Sequence, residues 1–293
     1  MKKIQIFINL QSISPFFHKK ILVTLKLIFV LLGLFNFSVC AQTKQKSYLF
    51  ATPWYESDGG RVRLAITSPS LSGIRDGIIE IMLKPQWKTY WRNPGNSGMA
   101  PFFNFKQQVS YEIFYPTPQL YETENDWSIG YKNEVLLPFT ISNASNNLTG
   151  SLTLGFCNEI CLPFTVNFNF SPPIEKNDAI PSSLLKKAQD ALPRTNNHAL
   201  KISAEKDKNT LFIKIQNKNK IMPISLFLDG GEMQIGPAKK VSDNVDYTLF
   251  SAPIHFIPEK TIQTVFYTVS FKDDALSGTF MLHTPLTSPA IPR

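Results

Sequence analysis

Two cysteines separated by three residues are the feature of this sequence most typical of redox chemistry. They are Cys157 and Cys161, within the stretch Gly155-Phe156-Cys157-Asn158-Glu159-Ile160-Cys161-Leu162-Pro163. A cysteine thiolate attacks disulfide sulfurs, so two neighbouring cysteines can alternate between a dithiol and a disulfide. Cysteines at this spacing meet disulfide geometry only if a turn brings their Cα atoms within about 7 Å of each other. The pair therefore predicts a thiol–disulfide site wherever the chain turns between the two residues.

Alternating apolar runs on both sides of the pair predict such a turn. Residues 151–156 alternate small or polar residues with Leu152, Leu154 and Phe156, and residues 164–170 alternate polar residues with Phe164, Val166, Phe168 and Phe170. A period of two is typical of half-buried strands. We therefore expect two strands joined at the cysteines, which would hold both sulfurs on a rigid support within reach of solvent.

The first 41 residues have the pattern of a secretory signal peptide. Lysines near the start precede an uncharged apolar run at 27–39, and Val39-Cys40-Ala41 fits a small-residue cleavage site before Gln42. An uncleaved N-terminal anchor is one alternative, and a lipid-modified Cys40 is a less favoured one. The pattern predicts export to the periplasm, with no membrane span after cleavage.

Export also changes the cysteine count. Cleavage removes Cys40 and leaves Cys157 and Cys161, which in an oxidising compartment most simply form one intramolecular disulfide. Loop-closure entropy grows with loop length, so this small loop constrains the unfolded chain little. A disulfide that contributes little to stability is better explained by a redox role, although an inert disulfide that only closes the hairpin remains the alternative. Glu159 lies between the cysteines and the turn holds no cation, so the sequence predicts no strongly lowered cysteine pKa.

Composition favours an all-β protein and excludes a nucleic-acid footprint. The chain has 23 Phe and 21 Pro and a formal net charge of +8. Five lysines lie in residues 1–41, and 25 basic residues then face 22 acidic ones in the remainder. No cluster of Lys or Arg with interleaved aromatic residues is present.

The order of the strand-like segments predicts two β domains. At least six short strands between 42 and 170 predict an immunoglobulin-like β-sandwich. Residues 171–198 are interpreted as a linker with one short helix near 182–191, residues 199–284 as a second, smaller β-sandwich-like domain, and residues 285–293 as a Pro-rich tail. Upstream of the cysteines, Trp87 to Trp91 is aromatic and Asn93-Pro94-Gly95-Asn96-Ser97-Gly98 is rich in turn formers, which predicts a loop.

Two motifs together resemble a known family. Lys88-Thr89-Tyr90-Trp91-Arg92-Asn93-Pro94-Gly95-Asn96-Ser97-Gly98 and the cysteine stretch occur in the order and at the distance seen in the N-terminal periplasmic domain of the DsbD/ScsB thiol:disulfide interchange proteins, most closely the ScsB-like branch. Gly59-Gly60-Arg61-Val62-Arg63-Leu64, Tyr115-Pro116-Thr117-Pro118 and Gly130-Tyr131 add to the resemblance, which covers roughly residues 48–170.

The resemblance implies an immunoglobulin-like sandwich with a redox-active pair, Cys157 and Cys161. It implies a thioredoxin-like or membrane electron donor, periplasmic disulfide-containing proteins as acceptors, no cofactor, and activity as a protein-disulfide reductase. Residues expected in a loop that shields the site or contacts a partner are Trp87, Tyr90, Trp91, Asn93 and Tyr131. A full-length family member continues into a multi-span membrane domain and a further CxxC domain. Neither occurs in this sequence, so we expect any reductive role to need separate partners.

Two further readings stay open. A non-enzymatic periplasmic binding module would keep the disulfide as a structural element. Alternatively, two thiolates with Met99 or a histidine could bind Cu(I), which soft ligands select; the histidines beyond the leader are His198, His255 and His283. Zinc is less favoured because no second ligand pair has suitable spacing.

Overall fold

The computed structural model describes residues 48–68, 70, 72–124, 126–170, 179–196, 198, 200–216, 222–259 and 262–283. The expected signal peptide and the Pro-rich tail lie outside these residues. The described part of the first half contains strands β1 Tyr48–Ala51, β2 Tyr55–Glu56, β3 Gly60–Ile66, β4 Arg75–Leu83, β5 Lys88–Gly95, β6 Phe102–Phe105, β7 Ser110–Ile113, β8 Gln119–Glu122, β9 Trp127–Lys132, β10 Glu134–Ser142, β11 Leu148–Cys157, β12 Cys161–Phe170 and β13 Ala179–Pro181. Helix α1 follows at Ser183–Asp190. Then come β14 Arg194–Thr195, β15 Ile202–Asp207, β16 Thr210–Gln216, β17 Ser225–Asp229, β18 Gln234–Ile235, β19 Lys239–Asp243, β20 Tyr247–Phe256, β21 Ile262–Ser270 and β22 Ala275–His283.

Two sheets of the first half pack face to face, as the alternation predicts. One has the order β13-β1-β3-β4-β10-β7 with β2 beside β3, and the other has the order β12-β11-β5-β9-β8 with β6 beside β11. Their inward residues form one apolar core, which includes Val62, Leu64 and Ile79 from the first sheet and Leu152, Leu154, Phe156 and Phe168 from the second. Burial of these side chains supplies the main driving force for the sandwich. The expected all-β, immunoglobulin-like fold is confirmed.

The predicted helix forms and packs on the back of the first sheet. Leu185 and Ala188 of α1 are buried against Leu49, Ala65 and Ile78, which point away from the main core. Strand β13 pairs antiparallel with β1 just before the helix. Part of the segment interpreted as a linker therefore supplies the edge strand of the first sheet, β13, and the helix that packs on it.

The second half contains another pair of sheets with a separate core. Their orders are β14-β22-β21-β17 and β15-β16-β20-β18, with β19 beside β20. The core between them includes Leu211, Ile213, Phe250, Val265 and Val269. The two halves also touch: Trp91 meets Phe227 edge to face with ring centroids 6.2 Å apart, and Phe227 is buried with the core of the first half. The described residues between 48 and 283 thus belong to one compact unit.

The expectation of a loop from Trp87 onward is wrong for its first part. Lys88 to Gly95 forms strand β5, which pairs with β9 at Lys88–Tyr90 and again at Gly95, with a bulge between. The bulge absorbs the turn-forming residues without ending the strand, and the loop proper begins after Gly95. Within the described residues, no helix is long and apolar enough to cross a membrane.

Candidate active site at the disulfide hairpin

The two cysteines close the hairpin formed by β11 and β12. These strands pair without interruption from Leu148↔Phe170 to Cys157↔Cys161, so the cysteines are the last pair before a turn of three residues. Their Cα atoms lie 4.1 Å apart, and the sulfurs are joined as a disulfide. The turn expected from the sequence is therefore present, and it meets the distance condition for the bond.

The disulfide lies on the outer face of its sheet. Phe156 points into the core and stacks on Phe164 at 5.6 Å. Because side chains alternate along a strand, Gly155 and Cys157 face the opposite way. Cys157 is nevertheless only 4% exposed, whereas Cys161 is partly exposed. The two sulfurs thus differ in access, and Cys161 is the one that solvent or a partner reaches first.

Tyr90 contacts the disulfide from outside the hairpin. Its hydroxyl donates a hydrogen bond of 3.0 Å to Cys161 Sγ, across 71 residues of sequence. The ring lies over Gly155, where a Cβ atom would come within 2.8 Å of Tyr90 Cε2. A glycine at this position therefore leaves the space that lets Tyr90 reach the sulfur.

The environment of Tyr90 keeps its hydroxyl protonated. The side chain is only 1% exposed. Burial raises the pKa of Tyr90 to about 12, and the negative charge of Asp126 contributes to the same direction. The phenol is therefore a hydrogen-bond donor throughout the neutral pH range.

The turn-rich segment after β5 folds back over Tyr90. A Cβ on Gly98 would lie 2.6 Å from both Tyr90 Cδ1 and Pro94 Cβ, which shows how closely the segment packs. The Gly155 amide donates to the Met99 carbonyl at 3.2 Å and ties the segment to β11. The covering layer over the outer face is thus Tyr90 with residues 94–99 above it.

Strand pairing also places a lysine beside Cys157, although its ammonium group is held at β9, on the side of β5 away from the hairpin. Lys88 on β5 is directly opposite Cys157 on β11. Its Nζ donates to Ser128 Oγ at 2.8 Å. Burial lowers the pKa of Lys88, an effect that Asp126 opposes and Lys132 reinforces. The turn itself holds no cation, as the sequence shows, and nothing in the sequence fixes which residue of β5 pairs with Cys157.

The other residues expected at the site lie elsewhere. Trp87 is half-buried at the core edge near Phe156, and Trp91 is inside the core. The Asn93 amide donates to the carbonyls of Leu228 and Ile235 in the second half of the chain. Tyr131 is buried, and its hydroxyl donates to the Pro116 carbonyl at 2.7 Å. Of the five, Tyr90 is the one with a contact to a cysteine sulfur.

Exposed apolar side chains surround the hairpin tip. Ile160 in the turn is 71% exposed, and Leu162 beside Cys161 is 40% exposed. Met99 on the covering segment is 37% exposed.

No group of three or more His, Cys, Asp or Glu that could hold a metal ion occurs among the described residues.

The fold and site together define a β-sandwich with a solvent-accessible disulfide at a hairpin tip. Residues 71–172 match the family described as the N-terminal region of the thiol:disulfide interchange protein DsbD. This match confirms the resemblance to the DsbD N-terminal domain that was drawn from the two motifs.

A solved structure gives the same fold over a longer range. The N-terminal periplasmic domain of ScsB from Proteus mirabilis superposes with a TM-score of 0.69 at 23% identity, covering 80% of this chain and 99% of that domain. The likeness therefore extends beyond residues 71–172 into the second half of the chain. No curated protein matches the sequence.

Proposed function

We propose that this chain is an exported thiol:disulfide interchange protein that passes electrons between a thioredoxin-like or membrane partner and periplasmic proteins through Cys157 and Cys161. The observation that carries the proposal is the disulfide at the hairpin tip, with one accessible sulfur and exposed Ile160 and Leu162 beside it. The DsbD N-terminal match supports the same chemistry. A disulfide that only stabilised the hairpin would need neither an accessible sulfur nor exposed apolar side chains beside it.

Exchange begins at Cys161 because Cys157 is nearly inaccessible. A thiolate of a reduced, thioredoxin-like dithiol attacks Cys161 Sγ and forms a mixed disulfide with it. The Cys157–Cys161 bond breaks, and its electron pair leaves on Cys157 as a thiolate. The partner's second thiolate then attacks the partner's first sulfur in the mixed disulfide. This step closes the partner's disulfide and releases Cys161 as a thiolate. The partner ends oxidised and the pair reduced, and the reverse sequence reduces a substrate disulfide.

Trapping experiments test this assignment. A reduced Cys157→Ala variant keeps Cys161 without a resolving thiol, so it should accumulate a mixed disulfide with a single-cysteine thioredoxin activated as its thionitrobenzoate adduct. The matched Cys161→Ala variant should react at least tenfold more slowly, because its remaining thiol is buried. Equal rates would contradict the choice of Cys161. Failure of both variants to trap any partner, with a wild-type pair that resists reduced thioredoxin, would contradict the function.

We also propose that residues 1–41 direct export and are removed before Gln42. The support is the leader pattern and the periplasmic origin of the ScsB domain with the same fold. Mass spectrometry of the protein from a periplasmic extract should give an N-terminus at Gln42. Recovery of the intact leader with the membrane fraction would instead show an uncleaved anchor.

Copper binding is a second candidate because the structure brings Met99 to the hairpin. Met99 Cβ lies 3.2 Å from the place a Cβ on Gly155 would take, on the face that carries the cysteines. Two thiolates and a thioether form a soft donor set that suits Cu(I). The reduced protein should then compete with bathocuproine disulfonate for one Cu(I), more weakly in Met99→Leu and not at all in the oxidised form. Absence of competition by the reduced protein would exclude this candidate.

A further inference from the structure

A cavity of about 400 Å³ lies where the two halves of the chain meet. The first half lines it with residues of β5 and of the segment 112–115, and the second half with residues of β14, β21 and β22. Cavities of this size with aromatic walls and a few polar groups are typical of small-molecule sites. Neither cysteine lines the cavity, so the exchange proposed above does not account for it.

The second half turns one face of β21 and β22 toward this cavity. Directly paired residues of antiparallel strands project to the same face of a sheet. Phe266 pairs with Thr279, and Thr268 pairs with Ser277. Thr268 also pairs with Phe227, whose ring is buried with the core of the first half. The face that carries Phe266 therefore points toward the first half, and Ser277 and Thr279 line the cavity beside it.

Arg92 brings a positive charge to the cavity from the first half. Its guanidinium carbon lies 5.2 Å from the ring centroids of both Tyr115 and Phe266. The Trp91 ring is 5.8 Å away. Cation–π contacts of this kind fix the position of a guanidinium without neutralising its charge.

The N–H groups of Arg92 have no acceptor in the part of the chain that the structure describes. This side chain forms no hydrogen bond or ion pair there, and Nε, but neither terminal nitrogen, is buried without an acceptor. A guanidinium carries five N–H donors in a planar fork that matches the two oxygens of a carboxylate. Because a desolvated donor without an acceptor is unfavourable, an anion in the cavity would stabilise Arg92.

We propose that this cavity binds a small organic carboxylate, with the carboxylate on Arg92 and the apolar part of the ligand against Trp91 and Phe266. A carboxylate is favoured over a phosphate because Glu112 also lines the cavity and Asp229 lines a neighbouring one that Arg92 borders. Two nearby negative charges oppose a dianion more strongly than a monoanion. The inference goes beyond thiol–disulfide exchange and does not depend on it, since it makes the second half part of a binding site.

Benzoate tests the proposal, because it joins a carboxylate to an apolar ring, and benzamide is its neutral counterpart. In heteronuclear NMR titrations benzoate should shift the Arg92 Nε–H signal, and benzamide should bind about tenfold more weakly. Arg92→Met should weaken benzoate binding about tenfold or more, and Arg92→Lys should restore only part of it, because an ammonium lacks the planar fork. Arg194→Met is the matched control and should leave the affinity unchanged, since Arg194 is exposed and already paired with Asp274.

Several outcomes would overturn the proposal. They are the absence of any benzoate-induced shift, equal affinity for benzoate and benzamide, and tighter binding of phenyl phosphate than of benzoate. If Arg92→Met fails to fold, Thr279→Phe tests the same cavity with Arg92 intact. The larger ring should abolish benzoate binding, and an unchanged affinity would place benzoate elsewhere and overturn the proposal as well.

Discussion

The hydroxyl of Tyr90 lies 3.0 Å from Cys161 Sγ, although the two residues are 71 positions apart in the sequence. Cys161 is the accessible sulfur of the disulfide, and Tyr90 is almost fully buried beside it. The contact gives the reacting sulfur one fixed hydrogen-bond donor. Because the phenol pKa is raised to about 12, this donor persists at every pH where exchange would operate.

Removing the Tyr90 hydroxyl should destabilise the thiolate form of Cys161 and so raise the pKa of this cysteine. A hydrogen bond to a charged group contributes about 1.5–3 kcal/mol, more than one to a neutral thiol. In Cys157→Ala protein, Tyr90→Phe should therefore raise the pKa of Cys161 by about one unit and slow its alkylation at pH 7 several-fold. Tyr55→Phe is a matched control, since it removes a tyrosine bond to the Asn167 carbonyl on the same hairpin. An unchanged Cys161 titration would show that the contact has no electrostatic role.

Filling the space beneath Tyr90 should displace its ring. A Cβ at Gly155 would lie 2.8 Å from Tyr90 Cε2. Overpacking of this kind costs about 1–3 kcal/mol, so Gly155→Ala should lower the free energy of unfolding by that amount in urea titrations. The same substitution should cost clearly less in a Tyr90→Ala background, where the ring is absent. Additive effects of the two changes would contradict a direct clash.

The disulfide should contribute little to stability. Closing this short loop restricts the unfolded chain by about 2 kcal/mol, against about 4.7 kcal/mol for a loop of 100 residues. The uninterrupted pairing of β11 and β12 holds the hairpin in either redox state. The double variant Cys157→Ser, Cys161→Ser should thus keep its far-ultraviolet circular dichroism and lose at most about 2 kcal/mol on urea unfolding. Loss of the fold on reduction would favour the structural role of the bond instead.

Asn93 should matter for the contact between the two halves and not for exchange. Its side-chain amide donates to the Leu228 and Ile235 carbonyls at 2.9 and 3.1 Å. Asn93→Ala leaves both carbonyls without this donor, which should cost about 1–3 kcal/mol, measured by urea unfolding and by faster limited proteolysis. Asn96→Ala changes an exposed residue nearby and serves as the control. A large change in the rate of reduction by thioredoxin would instead support the predicted role of Asn93 in shielding or partner contact.

The hairpin itself could be predicted because its determinants are local. Alternation around Leu154 and Val166 defines two strands, and the pairing Cys157↔Cys161 follows from the turn between them. The strand β5 could not be predicted in the same way. Its turn-forming residues Asn93 to Gly95 are accommodated by a bulge in the pairing with β9, a strand distant in the sequence.

The sequence by itself determined the fold class, the single cysteine pair after residue 41 and the resemblance to the DsbD N-terminal domain, since composition, spacing and alternation are properties of the chain alone. Only the tertiary structure decided that Tyr90 meets Cys161, that Lys88 pairs with Cys157, and that Trp91 and Tyr131 are buried in the core. The physical reason is register. Strands distant in sequence pair wherever the whole core buries its apolar faces best, and a shift of one residue would turn Tyr90 away from Cys161.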